Sequence, residues 1–460
     1  MDPLFFSHDE TSLLWLVLFG LLIWRSLSFF SPLGGIGLCH WFNLAINHFI
    51  GEVFINQNVD FKTADRNAGI LGYQLSAWAI MGLLMAFFTI FGLDLRYKKT
   101  SIDKQNKSDT NINIGYSGIV YGMVCYFFLS GLLAFIPSIT SILSGGLGMA
   151  SAGLAWSYIC MIKKRGYFIG ILFASIMFLF PIFTLLLNGF MGYGIYAIFG
   201  VAGVVMVTHR PRIVIGLLAP GLLYLGLSLY PSYMLSRDEI RGSVWGGAEM
   251  GERFQITFGT LAEKWEWFDP SDERQMDLFN GRLNQNVLVG ASYEYISAGY
   301  IQFSEGDTIY EGFLALIPRI IWVDKPIKAG SAGLASRFTG IGFSEGTSVG
   351  IGNLMELYVN FNVYGILLGF YIIGLAVYYL DLQTGYAIKN INPGLFFLSL
   401  VPGQSLMNSI GSFVEWGPSL IGSVVLVWIF NKFYIRSSGS IQWKSTKIGN
   451  SEIVQNIMLK

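Results

Sequence analysis

The chain has 460 residues, of which 53% are hydrophobic, 16% aromatic and only 13% charged, and its mean hydropathy is +0.54. Soluble domains run near a quarter charged, so this composition excludes an ordinary soluble enzyme and predicts an all-α polytopic membrane protein. Its 29 basic and 29 acidic residues cancel, which leaves no global basic signal for nucleic acid.

A membrane-crossing helix needs about 20 mainly apolar residues, and helices are expected because an open sheet would leave backbone groups unpaired in lipid. In chain order, such runs fall at residues 11–28, 33–54, 69–93, 116–136, 139–161, 166–187, 190–208, 213–232, 348–378, 393–413 and 416–434. The predicted organisation is therefore eight spans over 1–232, a large polar loop over 233–347, three spans over 348–434 and a tail over 435–460. The N-terminus is acidic (Asp2, Asp9, Glu10), so no cleavable leader is expected. Arg25 beside Ser31-Pro32 suits a cytoplasmic corner that leaves the N-terminus outside. If 33–54 instead lies flat in the interface, there are ten spans and the N-terminus is inside.

Four basic clusters share one face when the spans alternate. They are Arg96 to Lys107, Lys163-Lys164-Arg165, Arg210 with Arg212, and the tail lysines with Arg436. That face is expected to be cytoplasmic and the large loop extracytoplasmic. Cys39, Cys125 and Cys160 lie in apolar runs without metal or redox spacing and read as small buried hydrophobes. Neither an internal repeat nor a matched pair of broken helices is visible.

The loop holds 16 of the 29 acidic residues and ten basic ones. Residues 249–268 mix aromatic and charged side chains as an interfacial helix would. Asp269-Pro270-Ser271 breaks the chain ahead of a helix ending near Phe279. Residues 313–323 are too short to span and contain Pro318, which suits a re-entrant or interfacial hairpin.

Metal-ligand spacing, a P-loop and a nucleophile elbow in a plausible setting are all absent, so neither metal nor cofactor is expected. Gly145-Gly146 reads as a helix-packing position. Histidine is scarce: His40 lies in an apolar run, His209 at a cytoplasmic end, and only His8 and His48 are free to face outward. What the loop offers is arginine among carboxylates. Arg282, Arg319, Lys325 and Arg337 are candidates for holding a diphosphate, because guanidinium grips phosphate bidentately and lysine acts as a point charge. Pro318, Trp322 and Pro326 would stiffen the segment carrying Arg319 and Lys325. The alternative is that both cations snorkel to anionic head groups.

In the ninth predicted span, Asn353, Glu356 and Asn360 are spaced i, i+3 and i+7 and share one helix face. An ionisable residue there lines a polar cavity or hydrogen-bonds a neighbouring helix. Asn408 and Glu415, in the last outer connection, are candidates for closing the same cavity. Without histidine, a general base must be a carboxylate, and the candidates in order are Glu356, Glu294, Asp307 and Glu415.

The string ALIPRIIWVDKPIKAG, preceded by Arg282 and followed by GIGNLMELYVNFNVYGILLG, resembles the bacterial O-antigen polymerases, the oligosaccharide repeat-unit polymerases of the Wzy type. The motif resemblance covers residues 280–370, and the hydropathy pattern covers the whole chain. It implies a multi-pass glycosyltransferase of the bacterial inner membrane with a fold related to the O-antigen ligases. It implies transfer of a growing glycan from undecaprenyl diphosphate to the sugar end of another lipid-linked repeat unit, without metal. Arg282, Arg319 and Lys325 would match the diphosphate-holding positions, with Glu356 as the acidic position. Implied partners are the lipid-linked oligosaccharides, membrane lipids, and a chain-length regulator and flippase of the same pathway. The chain departs from the ligases in lacking a loop histidine. A ligase-like transferase and a polysaccharide flippase or transporter are the alternatives.

Overall fold

The computed structural model describes residues 6–27, 33–51, 63–97, 111–129, 142–143, 145–208, 212–315, 317, 322, 331–343, 349–409 and 411–435. Among these, every regular element is helical. In order, they are α1 (His8–Leu27), α2 (Ile36–Asn47), α3 (Thr63–Tyr97), α4 (Ile112–Met123), α5 (Gly146–Arg165), α6 (Tyr167–Asn188), α7 (Gly192–Thr208) and α8 (Arg212–Trp245). There follow α9 (Met250–Glu263), α10 (Glu273–Leu283), α11 (Asn286–Ser297), α12 (Asp307–Ala315), α13 (Ser331–Thr339), α14 (Gly352–Asn390), α15 (Pro393–Leu406) and α16 (Phe413–Phe430). Four stretches among the described residues are long and apolar enough to cross a bilayer: Arg66–Gly92 of α3, α6, α14, and α16 continued to Ile435. The chain is thus a helical membrane protein.

Close helix contact is bought with small residues, as lipid supplies no hydrophobic drive between helices. A Cβ on Gly153 would sit 2.6 Å from Gly115 O, and one on Gly146 2.6 Å from Gly122 O, so α4 and α5 meet backbone to backbone. This is the packing role expected of Gly146. The long α14 lies along α3, with Gly374 fitted against Leu83 and Ala86.

Two predicted spans are short. α2 has 12 residues and α15 has 14, below the about 20 a crossing needs. α2 is enclosed by protein, with ten of its 12 residues buried, and Ile36 packs against Gly403 of α15. A buried helix start carries orphan N–H donors that must be paired. Asp381 of α14 pairs them: its Oδ1 accepts from Gly34 N (2.7 Å) and Ile36 N (3.0 Å), and its Oδ2 from Gly37 N (3.1 Å). Gly35 adopts φ 92° against the backbone of Gly203, a conformation and a clearance that favour glycine.

The polar loop forms a helical layer tied into the bundle. α8 runs to Trp245, past the predicted span end at residue 232. α9 lies within the predicted 249–268 helix, and residues 265–269 then descend in extended form along α8. Their N–H groups find serine hydroxyls: Glu266 N donates to Ser232 (3.2 Å) and Phe268 N to Ser228 (3.0 Å), while Trp267 stacks on Tyr224. Asp272 caps α10 by accepting from Arg274 N and Gln275 N, and the helix continues to Leu283, one turn beyond Phe279. α11 packs on α3 through Gly290 against Ala68 and Gly72 against Asn286. Val289, Ile296, Leu334, Ala335 and Phe338 consequently belong to the main hydrophobic core. Of the predicted 313–323 hairpin, residues 316, 318–321 and 323 lie outside the described residues, as do Pro326 and most of the basic clusters used to orient the chain.

Candidate active site

The helix carrying Glu356 is not one straight rod. Phe361 (φ −137°, ψ 20°) and Asn362 (φ 62°, ψ −159°) leave helical geometry and divide α14 into a short arm, 352–360, and a long arm, 363–390. In a straight helix, residues 357 and 369 would stand about 18 Å apart. Here the Leu357 side chain fills the space above Gly369, and a Cβ on Gly365 would lie 2.5 Å from Leu357 O. The two arms therefore fold back on each other as a hairpin, and the short arm is a re-entrant half helix. The predicted span at 348–378 is therefore not one continuous helix but is broken at 361–362, and its long arm runs on to Asn390. Asn362 Oδ1 accepts from Val363 N (2.7 Å), which caps the long arm locally.

The polar face of the short arm meets two other elements. Asn360, at its C-terminal end, accepts from Gly306 N (2.9 Å) and donates to Thr308 Oγ1 (2.7 Å) and to Glu356 O (2.7 Å). Glu356, only 3% exposed, accepts from the Thr308 hydroxyl at Oε1 (3.3 Å) and from Phe413 N at Oε2 (2.6 Å). Asn353, at the N-terminal end, accepts from Trp416 Nε1 (2.8 Å), and its backbone N–H donates to Ser409 O (3.0 Å). The i, i+3, i+7 face thus clamps α12 to the start of α16. Beside it, Asn408 Oδ1 accepts from Tyr196 of α7 (3.1 Å) and Gly411 N (3.3 Å). Exposed Glu415 closes a capping box with Ser412, accepting from its N–H at 3.2 Å. Asn43 of α2 reaches the same turn, donating to Met407 O (2.5 Å) and Ser409 Oγ (3.0 Å).

Asn353, Glu356, Asn360, Asn408 and Glu415 are therefore brought together, and Asp307, exposed, lies beside the Thr308 that Glu356 engages. Glu294 is apart from them on the exposed face of α11. Arg337 is exposed on α13, its guanidinium 5.1 Å from the Phe338 ring centroid. Trp322 is half-buried. Arg282 lies in α10, its side chain outside the described set, and Arg319 and Lys325 lie wholly outside it. Of the two histidines expected to be able to face outward, His48 is enclosed and His8 is half-buried. His48 is buried with Nδ1 2.8 Å from Asn286 Oδ1, while Asn286 donates back to His48 O (2.8 Å). His8 sits against Tyr73 and Asp9 at the start of α1. No group of three or more His, Cys, Asp or Glu suited to a metal occurs among the described residues.

Thr308, Trp416 and Asn43 were not singled out by sequence reasoning. Thr308 had one indirect signal, its place next to the candidate Asp307, whereas Asn43 and Trp416 lie in runs read only as apolar spans.

Among known proteins, no curated protein and no solved structure matches the chain. A family model described as a domain of unknown function, DUF8712, matches residues 74–384, which include α14 up to Thr384 and the whole polar connection 233–347. With roughly two-thirds of its length inside that match, the chain belongs to the DUF8712 family.

Proposed function

We propose that this protein is a membrane glycosyltransferase that polymerises lipid-diphosphate-linked oligosaccharide repeat units at the outer face of a bacterial inner membrane, with a fold of about eleven spans. One observation carries the reading: a buried carboxylate, Glu356, converges with amides and hydroxyls from an outer-layer helix, a re-entrant arm and the last apolar helix. A lipid-linked donor needs its sugar in water and its tail in lipid, and such a junction offers both.

The acceptor sugar hydroxyl attacks the anomeric carbon of the donor. The bond from that carbon to the diphosphate oxygen breaks, and the diphosphate leaves with the bonding pair. A carboxylate takes the hydroxyl proton as the new bond forms. Glu356 is the leading candidate, since a carboxylate has about four lone-pair sites and two are in use. Cations from the set Arg282, Arg319, Lys325 and Arg337 stabilise the charge growing on the leaving group. Direct displacement inverts the anomeric centre, so a product that retained the donor's configuration would refute that step.

A second reading, a flippase for the same lipid-linked glycan, draws on the re-entrant half helix, since discontinuous helices recur in transporters. Deleting the gene and resolving the surface glycan on a gel separates the readings. A polymerase loss removes the ladder but leaves single repeat units attached. A ligase loss leaves unattached full-length polymer, and a flippase loss traps repeat units inside. With the polymerase pattern in hand, Arg319→Ala should abolish extension at normal protein level, and Arg319→Lys should impair it because lysine lacks the bidentate fork.

A further inference from the structure

The backbone around Glu356 fixes the direction of each hydrogen bond in its clasp. Gly306 N–H can only donate, so the Asn360 atom 2.9 Å from it is the amide oxygen. The amide nitrogen of Asn360 therefore faces the other way. Its two protons go to Glu356 O and to Thr308 Oγ1, each at 2.7 Å. The Thr308 oxygen is thus an acceptor on that side, and its one hydroxyl proton is left for Glu356 Oε1 at 3.3 Å. Phe413 N–H, again a donor only, meets Oε2. Two points set the plane of the carboxylate. One is backbone and the other is Thr308.

The chain is shaped locally for this relay. Glu305 and Gly306 both lie in the left-handed region, at φ 50° and 100°, a conformation that residues other than glycine adopt at a cost. Ser304 N donates to Val359 O (2.8 Å) and Asp307 N to Ser304 O (2.9 Å). This tight turn delivers Gly306 N–H to Asn360 and, two residues later, the Thr308 hydroxyl to Glu356. Thr308 and Gly312, one helical turn apart, are buried, and Gly312 lies against the Phe413 ring. Valine would fill the threonine volume as well, so packing alone does not account for a hydroxyl at 308.

We propose that Thr308 is a positioning residue for the transfer reaction: its hydroxyl holds the Glu356 carboxylate in the orientation that meets the acceptor sugar hydroxyl. Thr308 itself touches no substrate. The assignment rests on the glycan-transfer reading with Glu356 as base, and its test separates the two.

Membranes of the gene-deletion strain, expected to accumulate single lipid-linked repeat units, serve as substrate. The full chain or a variant, purified in detergent, is added, and the initial rate of ladder growth is measured against membrane amount. Thr308→Val should lower the saturating rate about tenfold or more, while the half-saturating membrane amount shifts by less than about twofold. Thr308→Ser and Thr308→Ala both remove the methyl group and differ only in the hydroxyl. The serine protein should stay within about threefold of the parent and the alanine protein fall about tenfold or more below it. That pair decides the matter even where the valine protein does not accumulate, since a merely structural Thr308 would make both fall together. Equal losses for serine and alanine, or parental rates from alanine or valine, would overturn the assignment and leave the transfer reading standing. An intact ladder in the deletion strain would refute the transfer reading and this assignment with it.

Discussion

Glu356 presents its two carboxylate oxygens to two donors on different elements, the Thr308 hydroxyl and the Phe413 N–H. Replacing it by alanine leaves both donors buried and unpaired, at about 1–3 kcal/mol each, so Glu356→Ala should lower the unfolding midpoint of the detergent-solubilised protein and its yield. Glu356→Gln keeps one acceptor oxygen and should cost less stability, yet a glutamine cannot take a proton and chain extension should cease. Normal ladders from a well-folded Glu356→Gln protein would reduce Glu356 to a brace. Asp381 poses the same question without a catalytic option. Its carboxylate accepts from three backbone N–H groups at the start of α2, and Gly34 N also reaches the Asp381 backbone O (3.0 Å), so Asp381→Ala strips Ile36 N and Gly37 N of their acceptor and should cost at least about 2 kcal/mol at the same per-donor loss. A midpoint unchanged in a thermal melt would show that α2 is held by packing alone. The sequence marked Glu356 through the amides spaced around it, but gave Asp381 no such context.

The deciding element is the hairpin of α14. Asn362 sits at φ 62° and ψ −159°, a region populated almost wholly by glycine and costing about 1–3 kcal/mol for other residues. Asn362→Gly should therefore match or exceed the parent in thermal stability despite losing the cap to Val363. Asn362→Val, a β-branched residue forced to positive φ, should fall below it by about 2 kcal/mol or more. The reverse order would mean that the turn at 361–362 relaxes elsewhere. The fold-back left only a faint trace in the sequence. Neither proline nor glycine stands at the break, and the enabling glycines, Gly365 and Gly369, come after it and look like ordinary helix-packing residues. The helix boundaries around Asp272 were readable because a local side chain makes them, whereas the start of α2 and the end of α15 meet distant partners, Asp381 and His40.

For the molecule as a whole, the three cysteines are buried, so single added cysteines report topology. Ser271→Cys, in the polar connection expected to face outward, should label in intact spheroplasts with a membrane-impermeant maleimide. Ser101→Cys, in the basic connection after α3, should label only after permeabilisation. Equal labelling of both would reverse or void the orientation drawn from the basic clusters. Composition and hydropathy by themselves determined that this is an all-helical membrane protein with its acidic residues concentrated in one connection, because crossing lipid imposes a length and an apolar character that local sequence must carry. The tertiary structure alone decided that this connection shares the bundle's core, that two apolar runs become short enclosed helices, and that Glu356 rides on a re-entrant arm clasped by α12 and α16. Those features come from pairing buried donors and acceptors between residues as far apart as Gly34 and Asp381, and no local stretch of sequence records which partner a buried polar group will find.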